Sequence, residues 1–211
     1  MPKAQAIGDY ALLGDCQGAA LVGKDGSIDW WCAPRFDSRS SFARLLDADA
    51  GHWSVRPTQD FEVEREYLPG TLVLQTTFTT GTGSARLTDA LALAPGARGH
   101  DIGLDSPHAI VRRLEGLEGE VELAVDFSPR LEYGLVTPTL VPSGDGAIET
   151  VGGPDTLLLS GHLEWLELTH GTASGELVIG PGERVGFALQ HRQGIRRGGG
   201  SRAFRSRRWL G

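Results

Sequence analysis

Hydrophobic and polar residues alternate with a period of two along most of the chain. In 120–127, EVELAVDF, Val121, Leu123, Val125 and Phe127 share one face, with Glu120, Glu122 and Asp126 on the other. In 61–67, FEVEREY, Phe61, Val63 and Tyr67 alternate with Glu62, Glu64 and Glu66. Val185, Phe187 and Leu189 repeat the pattern in 183–189. Such alternation marks antiparallel strands with one face buried. Further strands are predicted over 7–13, 19–23, 27–32, 71–79, 84–92, 108–115, 146–151, 156–160, 163–169 and 175–179.

Turn residues separate these runs. Lys24-Asp25-Gly26-Ser27 is an Asp-Gly hairpin signal between two apolar runs. Pro69-Gly70, Gly81-Thr82-Gly83, Gly152-Gly153-Pro154 and Gly180-Pro181-Gly182 are breakers of the same kind. The helical period occurs once, in 40–47, where Phe42, Leu45 and Leu46 stand at i, i+3 and i+4. Residues 94–107, rich in Gly and Pro, predict a long loop at one edge of the fold. The fold class is therefore all-β: an antiparallel two-sheet β-sandwich, resembling a supersandwich, with one short helical turn.

Composition narrows the picture. A chain of 211 residues, 40% hydrophobic, is long enough for one domain with its own core. No apolar run reaches the roughly 18 residues of a membrane span. The N-terminus lacks the apolar stretch of a secretory signal, so a cytoplasmic location is expected. Cys16 and Cys32 are the only cysteines and are expected to stay reduced. The six His are scattered without metal-ligand spacing, and neither a Walker-type loop nor a Gly-x-Ser-x-Gly elbow occurs. No metal and no cofactor is expected.

Charge is informative once divided. The first 191 residues hold 13 Lys+Arg against 27 Asp+Glu, whereas 192–211 contain seven Arg and no acid. An acidic body of −14 opposes an anionic partner, so neither nucleic acid nor membrane is expected as one. The last twenty residues have no structural period and read as a disordered Arg/Gly-rich tail. The domain is accordingly drawn as 1–190 and the tail as 191–211. The tail's abrupt change to Arg, Gly and Ser suggests, as an expectation, an out-of-frame reading of a GC-rich gene from about residue 191.

The richest motif is 7–47, IGDYALLGDCQGAALVGKDGSIDWWCAPRFDSRSSFARLLD. It reads as a strand, a hairpin, and an Arg35-Phe36-Asp37-Ser38 loop feeding the helical turn. Trp30 and Trp31 point to opposite faces of one strand, so one belongs to the core and the other to an edge or interface. This segment resembles the N-terminal domain of bacterial glycoside hydrolase family 15 proteins of the glucoamylase and trehalase type. A looser similarity extends to about residue 190. Arg39 stands where the family often has Pro, and Trp31 where it often has an aliphatic residue.

The resemblance implies a β-sandwich that packs against an α/α-barrel catalytic domain. In that barrel two Glu act as general acid and base in inverting hydrolysis of an α-glucosidic bond. No long amphipathic helix follows residue 191, and no Glu of this chain matches the catalytic pair. The expected role is a non-catalytic domain of a carbohydrate-active hydrolase, truncated before the barrel and inactive alone. The candidates for contact with substrate or barrel are Arg35, Phe36, Asp37, Trp30 and Trp31, with Phe42 and the 94–107 loop as further contributors to an exposed apolar interface. Such a face, bare without the barrel, predicts self-association. The alternative is a free-standing carbohydrate-binding or protein-interaction sandwich.

Overall fold

The computed structural model describes residues 5–193. Its strands are β1 (Ala11–Gly14), β2 (Ala19–Val22), β3 (Ser27–Cys32), β4 (Ser40–Phe42), β5 (His52–Pro57), β6 (Phe61–Tyr67), β7 (Leu74–Thr80) and β8 (Gly83–Leu91). They continue as β9 (Ala109–Gly119), β10 (Val121–Ser128), β11 (Thr139–Pro142), β12 (Ile148–Val151), β13 (Asp155–Gly161), β14 (Glu167–Thr169), β15 (Thr172–Ile179) and β16 (Arg184–Gln193).

The strands form two eight-stranded antiparallel sheets, so the chain is an all-β sandwich. Sheet A runs β1-β2-β3-β5-β10-β15-β14, with β4 paired to β3. Sheet B runs β11-β12-β13-β16-β9-β8-β7-β6. The last of the described strands, β16, lies inside sheet B between β13 and β9. Alternation sets which face is buried. In β10 the inward residues Val121, Leu123, Val125 and Phe127 are buried, while Glu122 is exposed on the outer face.

The core fills the space between the sheets. Trp53 of sheet A meets Phe127 edge-on at 5.9 Å and Phe187 of sheet B at 6.4 Å. Beneath Trp53 lies a charged group that the hydrophobic pattern does not announce. Arg112 of β9 is fully buried and bonds Asp89 of β8 in a fork, Nε to Oδ1 at 2.9 Å and Nη2 to Oδ2 at 3.1 Å. The same guanidinium crosses to sheet A, donating to the carbonyls of Trp53 at 2.8 Å and Gly26 at 2.6 Å. Its centre lies 5.0 Å from the Trp53 ring. One side chain thereby joins both sheets.

The Asp-Gly hairpin forms as its residues predict. Gly26 has φ of +74°, and a Cβ there would stand 2.5 Å from the Val55 carbonyl, so the turn requires glycine. The free edges of the two sheets meet along β1 and β6. The Tyr67 hydroxyl donates to the Leu12 carbonyl at 2.9 Å and accepts the Leu12 N–H at 2.8 Å. Arg65 donates to the carbonyls of Asp9 and Val22. Glu62, Glu64 and Glu66 are exposed on the same edge strand, where charge discourages pairing with another chain.

Several elements differ from expectation: β5 and β11 are strands where none is predicted, and three further segments change. Residues 40–47 are not a helical turn from the start: Ser40–Phe42 is a strand, and only Leu46 and Asp47 return N–H bonds to the Ala43 carbonyl. Pairing of Phe42 with Trp31 overrides the local helical period. Ile7–Asp9 is a single 3-10 turn rather than the start of a strand. Residues 191–193 continue β16 and so belong to the sheet, whereas the rest of the predicted tail lies outside the described residues. Among the described residues no helix is long and apolar enough to cross a membrane.

Candidate functional site

Four connections gather at one end of the sandwich. They are 15–18 between β1 and β2, 33–39 after β3, 92–108 between β8 and β9, and 129–138 between β10 and β11. The pairing of Ala19 with Cys32 and of His52 with Ser128 brings three of these ends together. Side chains then tie them to each other.

Asp15 is the pin of the first pair. It is 3% exposed. Its Oδ1 accepts the N–H groups of Gln17 at 2.9 Å and Gly18 at 2.6 Å, and its Oδ2 accepts the Ser106 hydroxyl. The 92–108 loop is thereby drawn onto the 15–18 turn, with Leu104 left exposed. The Phe36 N–H donates to the Gln17 carbonyl at 2.9 Å, adding the third loop. Within that loop the Ala33–Pro34 peptide is cis, and Arg35 N–H donates to Ser38 Oγ.

The fourth loop carries conformational strain. Glu132, Tyr133 and Gly134 are consecutively left-handed, with φ of 54°, 61° and 94°. For the two non-glycine residues this costs about 1–2 kcal/mol each. The strain is held by its surroundings. Leu131 is buried and exchanges both backbone hydrogen bonds with Val136. Arg39 pairs with Glu132, and Tyr133 lies 6.2 Å from the Trp30 ring. The outcome is a rigid turn that holds Tyr133 and Leu135 out toward solvent. Strain of this kind concentrates at functional sites.

The predicted residues separate clearly. Phe36 stands 66% exposed at the loop tip, flanked by the exposed Arg35–Asp37 pair at 3.0 Å. Trp30 is half-buried beneath Tyr133. Trp31 is removed from the candidates: it is 1% exposed and stacks on Phe42 inside the core. Phe42 is likewise fully buried and cannot contribute to an exposed interface. Alternation explains both, because the inward face of β3 and β4 is the core face.

Sequence reasoning missed Glu132, Tyr133 and Leu135. Tyr133-Gly134 is a faint turn signal, and nothing local reports that the loop lies beside Arg35–Asp37. Leu135, 83% exposed, is the most exposed large apolar residue among those described. Together with Phe36, Leu104 and Tyr133 it makes this end unusually apolar. Three carboxylates here are engaged: Asp37 by Arg35, Glu132 by Arg39, and Asp15 by the turn it holds. Elsewhere, burial raises the Cys32 thiol to about 11, leaving it an inert core group, and Cys16 is exposed. Among the described residues no three His, Cys, Asp or Glu are grouped to hold a metal ion.

The model of the family described as trehalase-like, N-terminal, matches residues 2–194. A trehalase of Mycolicibacterium smegmatis is 35% identical over 158 residues, which are 69% of this chain and 23% of that protein. A trehalase of Mycobacterium tuberculosis is 32% identical over 163 residues, 71% of this chain and 24% of the relative. Trehalase 1 of Sulfolobus acidocaldarius is 36% identical over 136 residues, 64% and 21% respectively. The matched region thus covers about a quarter of each of these relatives.

Proposed function

The chain belongs to the trehalase-like N-terminal domain family, and from that membership we propose that it is the non-catalytic sandwich of an α-glucoside hydrolase, docked by its loop end on a catalytic α/α barrel. The observation that carries this reading is the apolar, cross-braced loop end. Phe36, Leu104, Tyr133 and Leu135 stand exposed on loops that spend hydrogen bonds, an ion pair and backbone strain to hold them there. Contacts between domains bury on the order of 600–1,500 Å². Four large side chains with the surrounding loop backbone supply a surface of that class. The relatives named trehalase are about four times longer than the matched region, which leaves ample chain for a catalytic partner.

In this reading Arg35, Phe36 and Asp37 contact the partner domain, and Trp30 supports Tyr133 from behind. Hydrolysis belongs to the barrel, where a general acid and base each contribute about 10²–10⁴-fold. The sandwich supplies position, not proton transfer, so the chain alone is inactive toward trehalose and maltodextrins. The test is to express the barrel region of the Mycolicibacterium smegmatis trehalase separately and mix it with this chain. Binding that Leu135→Ser and Phe36→Ser abolish, with the melting temperature unchanged, is the expected result. Binding that both variants retain would place the docking face elsewhere. The same face leaves the isolated chain prone to self-association, which light scattering reads directly.

A further inference from the structure

The 92–108 loop, which carries Leu104 to the loop end, is fastened at its C-terminal root to β16. There the His191 N–H donates to the His108 carbonyl at 2.9 Å, and the Gln190 side chain reaches the Pro107 carbonyl at 3.5 Å. Ser106 Oγ accepts the His108 N–H at 3.2 Å and donates to Asp15, the pin of the 15–18 turn. The root is strained where these bonds meet. His108 is left-handed, with φ of 49°, a conformation that bulky side chains seldom adopt. Its Nδ1 is enclosed and has no hydrogen-bond partner among the described residues.

The side chain of His191 stands behind this root. Alternation along β16 turns Phe187, Leu189 and His191 to one face, so an imidazole occupies the place of a core residue, with its side chain 1% exposed. Burial holds it below its usual range; the Asp155 carboxylate at 3.1 Å opposes that, and a charge on His108 adds to it. Asp155 on the β13 side and His108 on the β9 side are the titratable groups that act on it among the described residues. A protonated imidazole carries a charge and a second donor that this site does not fully satisfy, so it needs water. The two flanking elements differ in strength. β13 is paired with β16 all the way from Asp155 to Gly161. The 106–108 root has the two bonds to β16 named above and a strained backbone, so the root yields first.

We propose that His191 is an acid-sensitive latch on the 92–108 loop: neutral, it lets the root close on β16; protonated, it opens the root and withdraws Leu104 and the Ser106–Asp15 link from the loop end. In the open form the imidazole returns to its ordinary 6.5, whereas in the closed form it lies lower. The open form therefore binds more protons, and the latch is fully shut above pH 6.5 and opens progressively below it. The consequence for docking rests on the barrel-docking reading above.

Hydrogen exchange of the full chain, resolved by residue and corrected for the intrinsic rate, is compared at about pH 7.5 and about pH 5.5. Protection at His108 and His191 should be at least about tenfold below that of the β2–β3 ladder at both values, the mark of a local opening. It should fall by about threefold or more on acidification. His191→Asn should abolish the fall. Asp155→Asn, which removes the opposing carboxylate, should deepen it. Root protection equal to that of the β2–β3 ladder overturns the latch, as does root protection independent of pH, a fall retained by a folded His191→Asn variant, or no deepening in Asp155→Asn. The effect on docking is measured separately, as binding of the separately expressed trehalase barrel region to the chain relative to His191→Asn at the same two pH values. Relative binding that weakens by about threefold or more in acid supports it, and relative binding independent of pH overturns it. A barrel region that binds at neither pH defeats the docking reading, while the exchange data still decide the latch.

Discussion

Replacing Arg112 by Met removes a fully buried cation that touches both sheets. Asp89 remains, fully buried, with no counter-charge in the fork that held it. Stranding one partner of a buried pair costs about 3–5 kcal/mol. The Gly26 carbonyl keeps the Val55 N–H at 3.4 Å, so the loss of that hydrogen bond is partly covered. The stranded carboxylate therefore dominates. For a domain of this size each kcal/mol moves the melting temperature by about 2–4 °C, which puts the fall at roughly 6–20 °C. The companion experiment is the double variant Asp89→Leu/Arg112→Met. With neither charge present, the double variant should be more stable than Arg112→Met alone, although one change more extensive. Scanning calorimetry and urea midpoints on the two single variants and the double give the coupling. A fall of less than about 3 °C for Arg112→Met, or a double variant no better than the single, would refute the reasoning.

Other outcomes follow from the same geometry. Gly26→Ala should destabilise by more than about 1 kcal/mol, since both its φ of +74° and the Val55 carbonyl oppose a side chain; an unchanged urea midpoint would contradict this. Tyr67→Phe removes two hydrogen bonds to Leu12 at a half-exposed edge and should cost about 1 kcal/mol, with faster amide exchange at Leu12 as the local readout. His191 is buried, and that burial lowers its pKa from 6.5 despite the Asp155 carboxylate at 3.1 Å. Below pH 6.5 the unfolded chain then binds more protons than the folded one, so stability is full above 6.5 and declines on acidification. Urea midpoints at neutral and mildly acidic pH test the sign, and His191→Asn should flatten the slope. Arg35→Ala should change stability by under about 1 kcal/mol, because the Arg35–Asp37 pair is exposed, while weakening attachment of the barrel.

Strands with clean alternation were legible from sequence: β6 matches the predicted range, and β10 and the β2–β3 hairpin match it to within a residue. β5 was not, since His52-Trp53-Ser54-Val55-Arg56-Pro57 puts a cation and a proline where a strand is not sought. Its inward set is nonetheless Trp53, Val55 and Pro57, all buried. β11 hides between Pro138 and Pro142 for the same reason. Arg112 was invisible because a residue pair Arg112-Arg113 reads as surface, whereas alternation in β9 sends the first inward and the second outward. At the loop end, Arg35, Phe36 and Asp37 could be read because they lie in one motif. Tyr133 and Leu135 could not, because they arrive from a strand nearly one hundred positions away, and only pairing across sheet A brings them near.

The position of β16 has a consequence for how the protein is made. Strands emerge from the ribosome in order, and this one emerges last of the described set. Until it does, β13 on one side and β9 on the other each present an unpaired edge, rich in Leu, Ile and Val, to the crowded interior of the cell. The nascent sandwich is two unfinished ribbons, and at 5–20 residues per second it stays that way for seconds. A stop or a lesion a few codons before 184 would leave every earlier strand intact in sequence and no closed sheet B. Trigger-type chaperones that shield open edges should therefore matter most for nascent chains stalled just short of this strand, and least for those stalled just beyond it.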